Sequence, residues 1–356
     1  MAKILIKNGT VWDGERFFWG DVLTENQYIA KIAGEITEEA DFVYDATDQI
    51  VSAGLVDLHV HMRGASSDNI GIQAEMSSFP FGGTAVNDAG STKGDEALLA
   101  SYMVKNTVFV RVKTKDNHAD LSNIDVRLYQ YGTRAIGLKM SFDTCTANVW
   151  DITPVREVCD FAKSRGLKVM IHCTNSPTAM STIVSTLNRG DILTHVYHGG
   201  ENPCTDYQFE CFYIAKRRGV IMDVGFAGHV HTDFANFKSA VQVGFVPKTI
   251  STDITCLSAF KRGGRYGMTM CMSIAEELGM TREEVFLACT SNAAKVLGKE
   301  AEWGYLKEGR VADIAVLEYA DEGYDLTDKA GNRVQSENGY RCVLTVADGQ
   351  VVYRYR

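Results

Sequence analysis

His59 and His61 are the residues whose type and spacing first suggest chemistry in this chain. They are separated by one residue and follow an apolar run that begins at Ile50. Alternate side chains share one face of a β-strand, so both imidazoles are expected to point the same way. Two imidazoles at the end of one strand can bind one metal ion. The alternative is a pair of polar residues on a half-exposed strand.

A lysine, two further histidines and an aspartate lie at the ends of other predicted strands, namely Lys139, His172, His195 and Asp253. Neutral imidazoles and a carboxylate suit Zn²⁺ and similar ions, whereas an ammonium group would repel them. A lysine at the end of a buried strand loses solvation, which lowers its pKa and exposes a nucleophilic amine. That amine can add CO₂ to form a carbamate able to bridge two metals. A salt-bridged or snorkelling lysine is the alternative for Lys139.

The middle of the chain, residues 53–304, has the pattern of elements needed to bring these groups together. Apolar strands are predicted around His59 and at residues 84–87, 108–112, 135–139, 167–172, 192–195, 220–224 and 249–253. Amphipathic helices are predicted at residues 96–105, 155–165, 178–188, 209–218 and 234–242. Eight strands alternating with helices predict an α/β fold, a (β/α)8 TIM-like barrel whose strand ends line the active site.

The two ends of the chain share a different sequence pattern, which predicts short strands separated by turns. Strands are predicted around Ile4 and Ile6 and at residues 28–32, 312–317, 342–347 and 351–353. We therefore expect one small β-sandwich domain built from residues 1–52 and 305–356, beside a barrel domain of residues 53–304.

Composition restricts the classes of partner. The chain of 356 residues has a net charge of −9 and no basic cluster, which argues against nucleic acid or an anionic membrane as the main partner. No apolar run reaches the roughly 20 residues of a membrane helix. The N-terminus lacks the apolar core of a signal peptide, and nine cysteines without paired spacing fit free thiols. We expect a cytoplasmic protein.

Several motifs in chain order resemble those of the amidohydrolase superfamily. The first-strand motif is GLVDLHVH at residues 54–61, and KNGTVWDG at 7–14 and GRVADIAVL at 309–317 are similar to its flanking β-domain signatures. Shorter matches follow at residues 137–139, 171–172, 194–195 and 251–253. The chain is most similar to the dihydroorotase-like branch of amidohydrolase/deacetylase metallohydrolases, through residues 86–91, 190–199 and 228–229.

The resemblance implies a binuclear metal site. His59, His61 and Asp253 would hold one ion, His172 and His195 the other, and carbamylated Lys139 would bridge them. The cofactors would be two divalent ions, expected to be zinc, with CO₂ or bicarbonate for carbamylation. A hydroxide between the metals would be the nucleophile, and Asp253 would transfer its proton to the leaving group.

The implied activity is hydrolysis of an amide or ester bond in a small acyl compound, such as an N-acyl amino acid or an acylated hydroxy acid. It belongs with the hydrolases of carbon–nitrogen bonds other than peptide bonds. We expect a small-molecule substrate and a homo-oligomer. A dihydroorotase- or hydantoinase-like cyclic amidase, a mononuclear deaminase, in which Lys139 has no role, and a catalytically silent scaffold stay open.

Four residues are candidates for substrate contact. Arg63 matches the arginine that holds the substrate carboxylate in dihydroorotases, but residues 88–90, DAG, replace the Met-Pro-Asn-like segment of those enzymes. His198 follows His195 into a mouth loop, and His229 and His231 lie in the loop after the seventh predicted strand. We expect these four side chains at the mouth of the barrel.

Overall fold

A computed structural model describes residues 2–67, 69–261 and 265–355, without the side chains of Lys261 and His229. The strands, numbered along the chain, are β1 (Lys3–Trp12), β2 (Phe17–Glu25), β3 (Tyr28–Ala33), β4 (Phe42–Asp45), β5 (Ile50–Ala53), β6 (Leu55–Val60), β7 (Gly83–Ser91), β8 (Lys105–Lys115), β9 (His118–Asp120), β10 (Ala135–Ser141), β11 (Lys168–His172), β12 (Ile192–Thr194), β13 (Ile221–Asp223), β14 (Ile314–Ala320), β15 (Tyr324–Thr327), β16 (Arg333–Ser336), β17 (Gly339–Ala347) and β18 (Gln350–Arg354).

The α-helices are α1 (Ala74–Ser78), α2 (Glu96–Ala100), α3 (Ile124–Tyr131), α4 (Thr153–Ser164), α5 (Met180–Thr186), α6 (Glu210–Arg218), α7 (Phe234–Gln242), α8 (Cys256–Lys261), α9 (Met268–Glu277), α10 (Arg282–Cys289) and α11 (Ser291–Leu297). Three 3₁₀ turns lie at Phe79–Phe81, Gly132–Arg134 and Ala227–His229. Within the described ranges, no helix combines the length and apolar character needed to cross a bilayer.

The two ends of the chain form one sheet. Its strand order is β18-β17-β14-β5-β1-β2-β3, with β4 added alongside β1. Alternating apolar residues from both ends bury one face, where Ile6 and Val51 pack with Ile314 and Val346. The β-rich ends expected from the sequence are therefore present. The exact division into residues 1–52 with 305–356 and residues 53–304 stays a proposal.

The second sheet has seven parallel strands in the order β13-β12-β11-β10-β8-β7-β6, with β9 as an antiparallel hairpin partner of β8. Side chains pointing into the barrel alternate with side chains that pack under the helices. Phe109, Met170 and Ile192 are buried in one cluster. Two positions after each of them, nearer the carboxyl end of the strand, comes a polar residue, namely Arg111, His172 and Thr194. This alternation confirms the α/β barrel and places its polar end.

The eighth predicted strand, residues 249–253, is not a regular strand. Thr249 makes an isolated parallel bridge with Asp223 on one side, and Ile254, the residue after the segment, makes one with Val60 on the other. The backbone N–H of Asp253 also donates to the carbonyl of His59 at 2.7 Å. The segment thus joins the two edges of the seven-stranded sheet and closes the ring. Asp253 has φ +47°, a left-handed conformation that interrupts an extended ladder.

The C-terminal part also sends a hairpin, β15–β16, to the barrel. Its turn contains Asp328, whose carboxylate accepts from the backbone N–H of Phe234 at 2.8 Å. Asn332 in the same turn donates to Asp233 at 3.3 Å. The sequence patterns did not predict this hairpin, and its contacts connect the C-terminal segment to a loop at the mouth of the barrel.

Candidate metal centre

His59, His61 and Asp253 come together at the carboxyl end of β6. The Nε2 atoms of His59 and His61 lie 3.1 and 3.0 Å from Oδ1 of Asp253. These three ligand atoms form one of two groups in the described chain that are compact enough to hold a metal ion. His59 and His61 share one side of the chain, as the sequence predicted. Val56 and Leu58 pack with the inward-facing Phe109, so the register shift between Asp57 and Val60 is what lets His59 face the interior as well.

Lys139 lies beside this first group. Its side chain is 2% exposed, and its Nζ is 3.4 Å from Nε2 of His59. Burial lowers the pKa of the Lys139 ammonium to about 7, and the carboxylate of Asp253 opposes that shift. A large fraction of the amine is therefore neutral near physiological pH, as addition to CO₂ requires.

A second group contains three imidazoles, those of His172, His195 and His231. The ring of His231 is 4.4 Å from that of His195 and 4.9 Å from that of His172, measured between centroids. The sequence placed His172 and His195 together but predicted His231 as a substrate contact. The fold brings His231 back from the loop after β13, so the structure places it among the candidate metal ligands.

The two groups adjoin. The rings of His59 and His195 are 5.2 Å apart between centroids, and Nε2 of His195 lies 3.8 Å from Oδ2 of Asp253. His195 has φ +67°, so the backbone turns immediately after β12. The six ligand candidates and Lys139 therefore surround one polar region at the end of the barrel.

Buried carboxylates orient the imidazoles of the first group through hydroxyl groups. His59 Nδ1 lies 3.2 Å from Thr194 Oγ1, which donates to Asp223 at 2.7 Å. His61 Nδ1 lies 3.0 Å from Ser66 Oγ, which donates to Asp88 at 3.0 Å. Because each hydroxyl proton goes to a carboxylate, each imidazole donates its Nδ1 proton to the hydroxyl oxygen.

Two imidazoles of the second group also have a polar partner at Nδ1. Nδ1 of His195 lies 2.7 Å from the carbonyl oxygen of Gly225 and must donate to it. Nδ1 of His231 lies 3.2 Å from Thr174 Oγ1. In both rings the contact uses Nδ1 and leaves Nε2 available as a ligand atom, and Nε2 of His195 faces Asp253. A partner that engages the far ring nitrogen of a metal-binding histidine is a common outer-shell arrangement.

This arrangement fits a divalent cation in the first group. With their protons on Nδ1, both histidines direct an Nε2 lone pair at a carboxylate oxygen about 3 Å away. Lone pairs at this distance repel unless a cation lies between them. Zn–N bonds of about 2.0–2.1 Å in tetrahedral geometry put ligand atoms about 3.3 Å apart, close to these separations.

The protonation states also suit metal binding. Burial lowers the pKa of His59 to about 3 and the pKa values of His172 and His195 well below the ordinary histidine value. Burial alone would raise the pKa of the Asp253 carboxyl, but the positive charge and hydrogen bonds that His59 and His61 supply when protonated hold it well below its ordinary value. A bound cation would act in the same direction. The site therefore offers neutral imidazoles and an ionised carboxylate at neutral pH.

The other predicted substrate contacts have different positions. Arg63 is exposed, and its carbonyl accepts a hydrogen bond from the hydroxyl of Tyr102. His198 is buried outside both ligand groups, with Nδ1 accepting from the N–H of Gly200 at 3.1 Å. The side chain of His229 lies outside what the structure describes. Substrate contact by these three residues stays a prediction.

Sequence reasoning missed Arg111, which the fold brings next to Lys139. The two residues are register partners on β8 and β10. Arg111 follows the inward-facing Phe109 by two positions, so period-two alternation directs it into the barrel. That alternation was the available signal, but the arginine carried no recognised motif.

The family model that matches this chain is that of the amidohydrolase family, over residues 141–352. This match covers more than half of the chain, so the protein belongs to the amidohydrolase family. It is 26% identical over 379 residues to a protein of Enterococcus faecalis named deacetylase, and the alignment covers 98% of each chain.

Solved structures share the fold along the whole chain. A crystal structure of a dihydroorotase has a TM-score of 0.86 and 22% identity, with 99% of both chains covered. A crystal structure of an adenine deaminase has a TM-score of 0.84 and 23% identity, with 100% of both chains covered. At these identities the likeness concerns the fold, and it agrees with the barrel and β-rich ends described above.

Proposed function

We propose that this protein is a metal-dependent hydrolase that cleaves an amide or ester bond in a small acyl compound. The supporting observation is the pair of adjoining ligand groups beside buried Lys139. N-acyl amino acids and acylated hydroxy acids are the proposed substrates. The name of the Enterococcus faecalis relative, deacetylase, supports an acyl substrate.

The proposed ligands follow the two groups. His59, His61 and Asp253 would hold one divalent ion, and the three imidazoles of the second group would hold another. Lys139, as a carbamate, would bridge the two. Bound divalent metals supply Lewis-acid polarisation of a carbonyl and a water of lowered pKa.

Asp253 is the proposed proton carrier. Its carboxylate is ionised and lies at the junction of the two groups, within 3.8 Å of an imidazole in each. It can accept the proton of the attacking water and return that proton to the nitrogen or oxygen of the leaving group. The hydroxyl-linked carboxylates Asp223 and Asp88 keep the neighbouring rings in place during this transfer.

The test is a screen of the zinc-loaded protein with N-acetyl amino acids, O-acetyl hydroxy acids and cyclic ureides, with metal analysis of the same sample. Two metals per chain and release of acetate are expected. Ring opening of a ureide would instead support the cyclic amidase alternative. One metal with ammonia release from an aminopurine would support a deaminase, which the adenine deaminase fold relative makes a specific competitor.

Replacing His231 by alanine is expected to remove one metal from each chain while the other stays bound. The reason is that the second group loses one of three imidazoles, whereas the first group is unchanged. Metal content after dialysis and chelator competition measure the effect, and the visible spectrum of the cobalt-loaded protein reports the change in ligands.

His118→Ala is the matched control, because His118 pairs with Glu157 on the surface at 2.6 Å. It should leave both metals in place. Two metals bound to His231→Ala with unchanged affinity and an unchanged cobalt spectrum would exclude His231 as a ligand.

A further inference from the structure

A cavity of about 400 Å³ lies against β8 on the side of α3. Its lining contains three basic side chains, Arg111, Lys113 and Arg127, but only one acidic side chain, Asp120. Hydroxyl and amide groups of Ser91, Thr92, Ser122, Asn123 and Gln130 line it as well. A cavity with excess positive charge and many hydrogen-bonding groups suits an anionic ligand.

Arg111 connects this cavity to the candidate metal centre. It is the register partner of Lys139, and a Cβ at Gly90 would contact the side chains of both, 3.6 Å from Arg111 and 3.7 Å from Lys139. The guanidinium therefore lies close enough to the reacting groups to hold one end of a small substrate.

The charge of Arg111 has no close carboxylate partner in the described part of the chain. Its Nη2 donates to the neutral hydroxyl of Ser141 at 2.8 Å. Asp143 is near enough to oppose the lowering of the Arg111 pKa by burial. However, its oxygens already accept from the backbone N–H groups of Cys145 and Thr146 and from the Thr146 hydroxyl.

A partly buried guanidinium with one neutral partner is costly, since it has five N–H donors and keeps its charge. A carboxylate ligand would satisfy several of these donors together. Arginine binds carboxylates through two parallel hydrogen bonds, which also fix the orientation of the ligand.

We propose that Arg111 binds a carboxylate of the substrate, with the cavity beside it receiving the part that carries this group. This inference rests on the proposed function and narrows its substrates to acyl compounds that bear a carboxylate. It also assigns carboxylate recognition to a partly buried residue of β8 rather than to the exposed Arg63 predicted from the sequence.

The kinetic test compares Arg111→Met with Arg111→Lys, using the N-acetyl amino acid that the wild-type protein hydrolyses best and the matching carboxamide. Loss of the guanidinium should raise KM for the carboxylate about 10- to 100-fold, the usual contribution of hydrogen bonds to charged groups. The carboxamide should show no comparable change. Arg111→Lys should show a smaller increase in KM than Arg111→Met, because lysine keeps the positive charge but lacks the two parallel N–H donors of the guanidinium.

Two control variants make the assignment specific. Arg217→Met removes a positive charge from the exposed face of α6 and should behave as the wild type. Arg63→Met tests the competing arginine. If Arg63→Met rather than Arg111→Met raises KM selectively for the carboxylate, or if both substrates respond equally to Arg111→Met, the proposal is wrong.

A binding measurement separates this proposal from the hydrolase assignment. Calorimetry with succinate and succinamide on metal-loaded protein needs no turnover, and metal content and thermal unfolding confirm that each variant is intact. Weaker succinate binding in Arg111→Met alone supports the carboxylate site even if no acyl compound is hydrolysed. Succinate that does not bind to the wild type, or binds equally to Arg111→Met, overturns it even if hydrolysis is found.

Discussion

Replacing Asp253 by asparagine is expected to lower turnover at least about 100-fold while the protein stays folded. General acid–base catalysis contributes about 10²–10⁴-fold, and the amide cannot accept the proton that the ionised carboxylate takes up. Asparagine suits the position because Asp253 has φ +47°, a left-handed conformation that Asn and Asp adopt more readily than other non-glycine residues. Steady-state kinetics, circular dichroism and metal analysis measure the three properties.

Two further variants define what this result means. Asp253→Ala should lose turnover as well, but should also lower the unfolding temperature because alanine is strained at this φ. Asp125→Asn removes a surface carboxylate that pairs with Arg165 and should leave kcat unchanged. An Asp253→Asn protein that keeps more than about a tenth of the wild-type kcat would exclude Asp253 as the essential proton carrier.

Lys139→Ala is expected to be nearly inactive and to regain part of its activity with a short-chain carboxylic acid. An ammonium about 4 Å from a divalent cation would cost on the order of 4 kcal/mol for each unit of metal charge at an effective dielectric constant near 20. Addition of the Lys139 amine to CO₂ forms an N–C bond and releases a proton, so repulsion is replaced by a carboxylate-like ligand. A small carboxylic acid can supply the missing oxygens in the truncated protein.

The modification itself can be measured in the wild type. Metal-stripped protein should regain activity faster when bicarbonate accompanies the metal, and ¹³C-labelled bicarbonate should give a carbamate resonance that Lys139→Ala lacks. Lys216→Ala, at an exposed position on α6, is the control and should keep the resonance. Two fully occupied metals beside an unmodified Lys139 amine in an electron-density map would refute carbamylation.

The pH dependence of this reactivation gives an independent check. Because the pKa of Lys139 is lowered to about 7, its neutral amine predominates above that pH and its ammonium below it. At constant dissolved CO₂, the rate should rise about tenfold per unit below pH 7 and level off near pH 8. A rate that keeps rising towards pH 10 would indicate an ordinary, solvated lysine.

The sequence by itself determined the barrel, the β-rich ends and most of the candidate ligands. The shared orientation of His59 and His61 follows from period-two alternation, which is a local property. The same holds for Lys139 and His172 near the ends of β10 and β11. The resemblance to a family was not needed for these positions, because each follows from a strand prediction and the rule that strand ends meet at one end of a barrel.

Only the tertiary structure decided which distant groups share the site. His231 lies in a loop, so no periodicity fixes its direction, and its place beside His172 and His195 depends on the turn after β13. The hydroxyl bridges from His59 to Asp223 and from His61 to Asp88 join neighbouring parts of the barrel. Such contacts depend on register and side-chain packing across strands, which a local pattern does not contain.

The segment of residues 249–253 and the environment of Arg111 are two further features that the sequence pattern alone does not determine. Residues 249–253 have the composition of a strand, but the left-handed conformation at Asp253 and pairing to both β6 and β13 make them a connection between two sheet edges. Alternation directs Arg111 inward, yet only the neighbouring strand and the cavity beside it reveal a guanidinium without a close carboxylate. Charge compensation depends on all neighbours in space, so the folded chain alone could decide it.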